Sequence, residues 1–318
     1  MDFDSEIKGD DNISDVFDLY VEEQYDNCRL DKFLTDKFSD MSRSFIQKQI
    51  KDGFVKVNNK SVKSSFKLQH NDNVHVEICK PKEIEIVPEN IPLDIIYEDS
   101  DIILINKPKQ MVVHPAPGHY SGTIVNALMY HCKDLSGING ELRPGIVHRI
   151  DQDTTGVIVV CKNDIAHRCI AQQLKEHSIT RTYYAIVCGH IKENEGTIEG
   201  DIGRHPTDRK KMAINVKNGK HAVTHYRVLD TLNDKYTYIE CKLETGRTHQ
   251  IRVHMASIGH PILGDSVYGP SKCPFKLTGQ TLHAKTLGFI HPTTGKYMEF
   301  DAKLPDYFEE LLRKLKNN

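Results

Sequence analysis

Residues 148–161 read HRIDQDTTGVIVVC, and the fold depends on how that stretch divides. Its last part, residues 157–160, is an unbroken apolar run of strand length. The part before it is polar where the approach to a bland core would be apolar. Asp151 or Asp153, ahead of Gly156, reads first as a turn residue. In an extended segment alternate residues share a face, which would place Arg149 and Asp151 on the same side.

Working outward, similar short apolar runs occupy residues 95–97, 102–105, 184–187 and 238–243. Helical stretches intervene at 124–131 and 166–177. The chain closes at 305–315, with Phe308, Leu311, Leu312 and Leu315 along one helical face. Strands outnumber helices, and there is no internal repeat, GxGxxG fingerprint or P-loop. The class expected for residues 93–318 is therefore α+β, built on a mainly antiparallel, mixed sheet.

Three more segments of this region are unexpectedly polar: NKPKQMVVHP at 106–115, RTYYAIVCG at 181–189 and LETGRTHQIRVH at 243–254. Singly, each has an ordinary reading. Tyr183 suits a core aromatic with a satisfied hydroxyl. Arg247 precedes a helix capped by Thr248, with Ile251, Met255 and Ile258 inward and Gly259 then Pro261 at its end. That places Arg247 at the mouth of an element, where its charge can be aimed inward. His148 reads as a structural histidine. For His114, His249 and His254, no carboxylate or thiol completes a ligand set at suitable spacing, so no metal is expected.

Upstream, residues 28–80 form a regular unit. Leu30, Phe33 and Leu34 keep helical spacing, and a second helix starts near Ser42 with Phe45, Ile46 and Ile50 inward. Gly53 ends it. Residues 54–57, Asn58-Asn59 and residues 60–62 read as strand, tight turn and strand, and residues 74–78 as a further strand. Residues 81–92, charged and bounded by prolines, read as a linker. Residues 1–27 read as an acidic tail, although residues 16–17 and 19–21 have the makings of a short strand.

Net charge is −2, but it is unevenly spread. The first 27 residues hold ten acids and one lysine; residues 28–80 hold eleven Lys/Arg against six Asp/Glu; residues 204–220 hold six basic groups against one acid. The two basic zones can meet phosphates, or they are simply solvated surface. Contacts to a polyanion are expected from Arg43, Lys48 and Lys51 on the second helix and from Arg209, Lys210 and Lys211. None of the eight cysteines forms a CxxC pair, which predicts reduced thiols in the cytoplasm rather than a disulfide framework. No apolar run approaches the ~20 residues that span a bilayer. The opening MDFDSEIKGDD is no basic-then-apolar leader, so secretion is not expected.

The helix–helix–hairpin unit resembles the S4 RNA-binding domain through RLDKFL, SRSFIQKQIKDGFVKVNNKSV and HVEI. Beyond it, VVHPAPGHYSGTIVNAL, RPGIVHRIDQDTTG, GRHPTDRKKMA, LETGRTHQIRVHMA and HPILGDSVYG, in this order, resemble the RluA family of pseudouridine synthases, nearest its RluD-like branch. The resemblance covers nearly all of residues 28–318. It departs at Ile150, where leucine is usual, and at Lys109-Gln110, where a glycine often follows the proline.

The resemblance implies a cofactor-free enzyme that isomerises uridines in structured RNA, with 23S ribosomal RNA or the assembling large subunit as partner. It implies Asp151 as nucleophile, Arg247 as the cation that keeps Asp151 charged, and Tyr183 stacked on the uracil and assisting removal of the C5 proton. Arg149 would fill the gap left by the flipped base. Two other readings remain: a catalytically retired RNA-binding or ribosome-assembly factor, and the same chemistry on another ribosomal or transfer RNA uridine.

Overall fold

The computed structural model describes residues 13–38, 41–79, 86–116, 119–138, 144–208 and 210–317. The chain divides into two compact units, Met1–Ile84 and Glu85–Asn318.

In the first unit, β1 (Ile13–Tyr20) is followed by α1 (Leu30–Lys37), α2 (Arg43–Lys51), β2 (Val55–Val57), β3 (Lys60–Ser61) and β4 (Asn73–Cys79). The strands form one antiparallel sheet in the order β1-β4-β2-β3. Ser42 caps α2 by accepting from the Phe45 amide, as its sequence position predicted. Asn58 and Asn59 both take left-handed φ, the geometry of the two-residue turn that joins β2 to β3. Leu30, Phe33, Leu34, Ile46, Ile50, Val74 and Val76 make the core.

Residues 13–20, assigned to the acidic tail, are instead β1. An edge strand needs only backbone partners on one side, so its acids can face solvent. Asp18, opposite His75 across the ladder, pairs with it at 2.9 Å.

The second unit contains β5 (Ile95–Glu98), β6 (Ile102–Lys107), α3 (Ile124–His131), β7 (Thr155–Cys161), α4 (Asp164–Lys175), β8 (Thr180–Cys188), β9 (Glu195–Arg204) and β10 (Met212–Ile214). After these come β11 (Lys220–Leu232), β12 (Tyr236–Leu243), α5 (Gln250–Ser257), β13 (Leu282–Ile290), β14 (Tyr297–Asp301) and α6 (Asp306–Lys316). They build one ten-stranded sheet, ordered β10-β9-β11-β12-β8-β13-β7-β6-β5, with β14 also paired to β13. Every pairing is antiparallel except β13 with β7.

β6 and β7 are covered on both faces, which is why they read as apolar runs rather than alternations. On one face Leu104, Val157 and Val159 belong to the same core as Ile170 of α4, which packs on β7, and as Ile251 and Met255 of α5. On the other, Ile103, Ile105, Ile158 and Val160 meet Ile124, Val125 and Leu128 of α3. Gly156 sits where β7 crosses closest to β13, and a Cβ there would stand 2.1 Å from the Ala284 carbonyl oxygen.

The expected linker 81–92 extends less far than its composition implied. Residues 81–85 lie outside the described residues, but Ile86 is buried and the chain after it is bonded to α3. Asn126 donates to the Val87 carbonyl, and Glu89 accepts from the Gly122 amide. No helix among the described residues is long and apolar enough to cross a membrane.

Candidate active site

Asp151 lies in the loop that enters β7, with its carbonyl accepting from the Thr154 amide. Beneath that loop is Lys107, the last residue of β6 and fully buried. Its ammonium donates to the carbonyls of Pro108, Met111 and Gln152, each at 2.8 Å. Burial pulls this lysine down to about 7, with Asp153 and Asp151 opposing. Three carbonyl acceptors require three N–H donors, which only the protonated form offers, so the bonds hold Lys107 charged at neutral pH. This lysine ties the 107–115 loop to the loop bearing Asp151.

The cation paired with Asp151 is Arg252. Its Nη1 donates to Asp151 Oδ2 at 2.8 Å, while Nε and Nη2 grip Asp265 at 2.7 and 2.9 Å. Asp265 Oδ1 also accepts from the Val267 and Tyr268 amides. Burial alone would raise Asp265, yet Arg252 and these amides hold it below its ordinary value. Burial would lower Arg252, but its two carboxylates raise it instead. The result is a guanidinium fixed on one side and presented to Asp151 on the other.

Arg247, assigned this role from sequence, does not pair with Asp151. It lines the same cavity, but its Nε donates to the His221 carbonyl at 2.9 Å. The reason is the phase of α5. Thr248 is exposed and does not cap; the N-cap residue is His249, in left-handed conformation, without a side-chain cap bond. Buried Gln250 organises the turn instead. Its carbonyl accepts from Thr245 Oγ1 and the Arg247 amide, and its amide donates to Val223 O and Thr224 Oγ1.

Tyr183, in β8, lines the cavity with Asp151 and is buried. Burial pushes its phenol up, with Arg181 opposing and Asp151 adding to the rise, so it stays protonated at neutral pH. It offers a ring face rather than a phenolate. Arg149 is exposed at the edge of the same cavity. Around these groups two hollows meet, the larger about 520 Å³.

His249 was dismissed as a ligand and not otherwise placed. Its Nε2 lies 4.0 Å from Asp151 Oδ1, and its Nδ1 meets the Tyr268 hydroxyl at 2.8 Å. That hydroxyl already accepts from the Met212 amide, so its proton points to Nδ1 and neutral His249 carries its own on Nε2, facing Asp151. Burial lowers this histidine, with Asp151 opposing. Only its adjacency to the arginines signalled it in the sequence.

Of the other predicted contacts, Lys48 and Lys51 are exposed on α2, whereas Arg43 donates to buried Asp31 at 2.9 Å, beside Arg29. Lys210 is exposed and Lys211 half-buried in the β9–β10 turn. Arg209 lies outside the described residues. Among the described residues two sets come within metal-ligand spacing, Asp99–Asp101–His291 and Glu98–His131–Cys132, and neither includes the three histidines considered above. Both are engaged: His291 Nδ1 accepts from the Thr293 and Thr294 amides, leaving Nε2–H for Asp99, and Lys162 sits on Glu98.

Residues 101–257 match the RNA pseudouridylate synthase family and residues 28–74 the S4 domain. An uncharacterized RNA pseudouridine synthase of Bacillus subtilis is 50% identical over 95% of this chain and 98% of its own length. Ribosomal large subunit pseudouridine synthase D of Zymomonas mobilis is 46% identical over 90% of this chain and 93% of its own. The solved structure of human RNA Pseudouridylate Synthase Domain Containing 1 superposes with a TM-score of 0.54 at 26% identity, covering 75% of this chain and 98% of that one. A carboxylate held by a clamped arginine beside a buried tyrosine thus sits in a chain that belongs to the RNA pseudouridine synthases, an enzyme family, and that carries an S4 domain ahead of the catalytic unit.

Proposed function

We propose that the enzyme converts uridine to pseudouridine in large-subunit ribosomal RNA, in the cytoplasm, with Asp151 as the attacking carboxylate. The observation that carries the site assignment is the Asp265–Arg252–Asp151 chain, which holds one carboxylate against a fixed guanidinium at a cavity wall beside an aromatic ring. An ionised carboxylate is a nucleophile that needs no added group. In the reaction the N1–C1′ bond breaks, uracil turns, C5 bonds to C1′, the C5 proton leaves and N1 gains one. Nothing is added or lost.

Arg252 supplies the charge partner that an occupied, desolvated pocket requires. Tyr183 offers a face on which the freed base can turn, and its phenol, held protonated, serves as a hydrogen-bond donor. A C5-proton acceptor is better sought in Asp151, because His249 presents an N–H and not a lone pair to the site. Arg149, at the exposed edge, is placed to occupy the stack the uridine leaves; extrusion costs a few kcal/mol. The large-subunit substrate rests on the named activity of relatives such as the Zymomonas mobilis protein. The seven cysteines whose side chains are described, all free, fit a reducing compartment. A retired RNA-binding factor is not favoured, because the site is chemically complete.

The test is pseudouridine mapping on in vitro-transcribed large-subunit rRNA. Wild type is expected to modify discrete uridines, and Asp151→Asn to bind the transcript within a few-fold of wild type and yield no product. Product from Asp151→Asn would remove the nucleophile assignment.

A further inference from the structure

The larger hollow beside Asp151 holds more positive charge than the reaction at Asp151 requires. Arg149, Lys175, His177, Arg181 and Arg247 line it, and its one carboxylate, Asp151, is already paired with Arg252. Among the described residues, neither those three arginines nor the lysine forms an ion pair with a carboxylate.

Arg181 is the informative member. It lies two residues before Tyr183 on β8, and both side chains are buried and line the hollow. At 7% exposure it is an interior charge. Nη2 donates to the Glu244 carbonyl at 2.7 Å, while Nε is buried with no partner. A Cβ on Gly246 would stand 2.6 Å from Nη1, so the glycine keeps open the space this guanidinium occupies. Burial disfavours the charge most, Tyr183 opposes this, and nearby Arg247 adds to the penalty. An uncompensated interior cation is costly, and proteins keep one where a ligand supplies the counter-charge.

We propose that Arg181, with Arg247 and Lys175 around it, is a binding site for a backbone phosphate of the RNA, adjoining the nucleotide held over Asp151. The site rests on the RNA-isomerase reading and adds to it a group that fixes the strand rather than the base. A planar guanidinium suits a phosphate's two free oxygens. Arg181 is thus a positioning residue, acting on register rather than on the bonds that change.

The experiment compares wild type with Arg181→Met in full-length protein, reading thermal unfolding and the affinity for in vitro-transcribed large-subunit rRNA across a potassium chloride series. The substitution removes the charge and keeps most of the volume. The expected result is an unfolding midpoint no lower than wild type, with affinity down roughly ten- to hundredfold. The slope of log affinity against log salt becomes shallower by about 0.7, the share of one single-strand phosphate. Arg181→Lys restores the slope but not the full affinity.

A lowered midpoint with affinity and slope unchanged makes Arg181 a structural residue and overturns the proposal. If Arg181→Met does not fold, Gly246→Ala, which crowds the same guanidinium, is read in the same assay; unchanged affinity there is equally fatal. Inorganic phosphate, compared with chloride at equal ionic strength, is expected to compete only weakly. Competition below millimolar concentration would assign the site to a free anion and overturn the RNA assignment. Failure of the wild type to form pseudouridine would remove the isomerase reading, while the binding comparison still decides the phosphate site.

Discussion

Arg252 touches two carboxylates, and removing it leaves buried Asp265 and half-buried Asp151 without their cation. Arg252→Met is therefore expected to cost about 3–5 kcal/mol in a urea titration, as for a broken buried pair. Arg252→Lys recovers little, because an ammonium cannot reproduce three directed bonds to two acids. Arg247→Ala, by contrast, frees only the His221 carbonyl and is expected to stay within about 1 kcal/mol of wild type. Equal losses from the two arginines would contradict the placement of the ion pair. Asp151 and Tyr183 could be singled out only through the family resemblance of their motifs; read from the residues alone, one is a turn acid and the other a core aromatic. The arginine was missed, since choosing between positions 247 and 252 needs the starting phase of α5. That phase is set by a left-handed histidine and a buried glutamine, neither of which resembles a helix cap in sequence. Its second partner, Asp265, lies in a loop with no periodicity to mark it.

Elements covered on both faces or closed by standard turn chemistry were the readable ones: α2 with its serine cap, the Asn-Asn turn, and β6 and β7. The long hairpin partners β9 and β11 were not. β9 carries glycines and acids, and β11 breaks its apolar residues into short pairs among polar ones over 13 positions, so neither contains a long apolar run. β1 was only half visible, as a short strand at residues 16–17 and 19–21 within an acidic tail, because its acids face water while its backbone completes the sheet. Deleting residues 1–20 is expected to expose the β4 edge, raising amide hydrogen exchange along residues 73–79 by at least tenfold on the scale of local opening. Unchanged protection would show that β4 does not rely on β1. At the catalytic unit, Lys107→Met removes three bonds at once, and a loss of about 2–4 kcal/mol is expected, with the catalytic rate falling more than RNA affinity.

At the scale of the whole catalytic unit, three histidines are held neutral by burial. His148, His254 and His283 are each lowered to about 4 from an ordinary 6.5. His148 Nε2 accepts from the Val159 amide, a bond that protonation abolishes. Because the unfolded chain binds these protons more readily, their contribution is fully present above pH 6.5 and declines as pH falls toward 4. The urea midpoint is expected to drop steeply across that window, and His148→Gln to flatten the drop; a midpoint level from pH 7 to 4.5 would refute this.

The parallel seam in the sheet has a consequence for synthesis. β13 lies between β7 and β8, so the strand after Asp151 and the strand bearing Tyr183 are neighbours only through a segment made after both of them. A nascent polypeptide emerging in order carries its reactive acid and its aromatic platform long before they are aligned. Any product terminated ahead of residue 282 should be inert toward RNA, however much of the motif it contains.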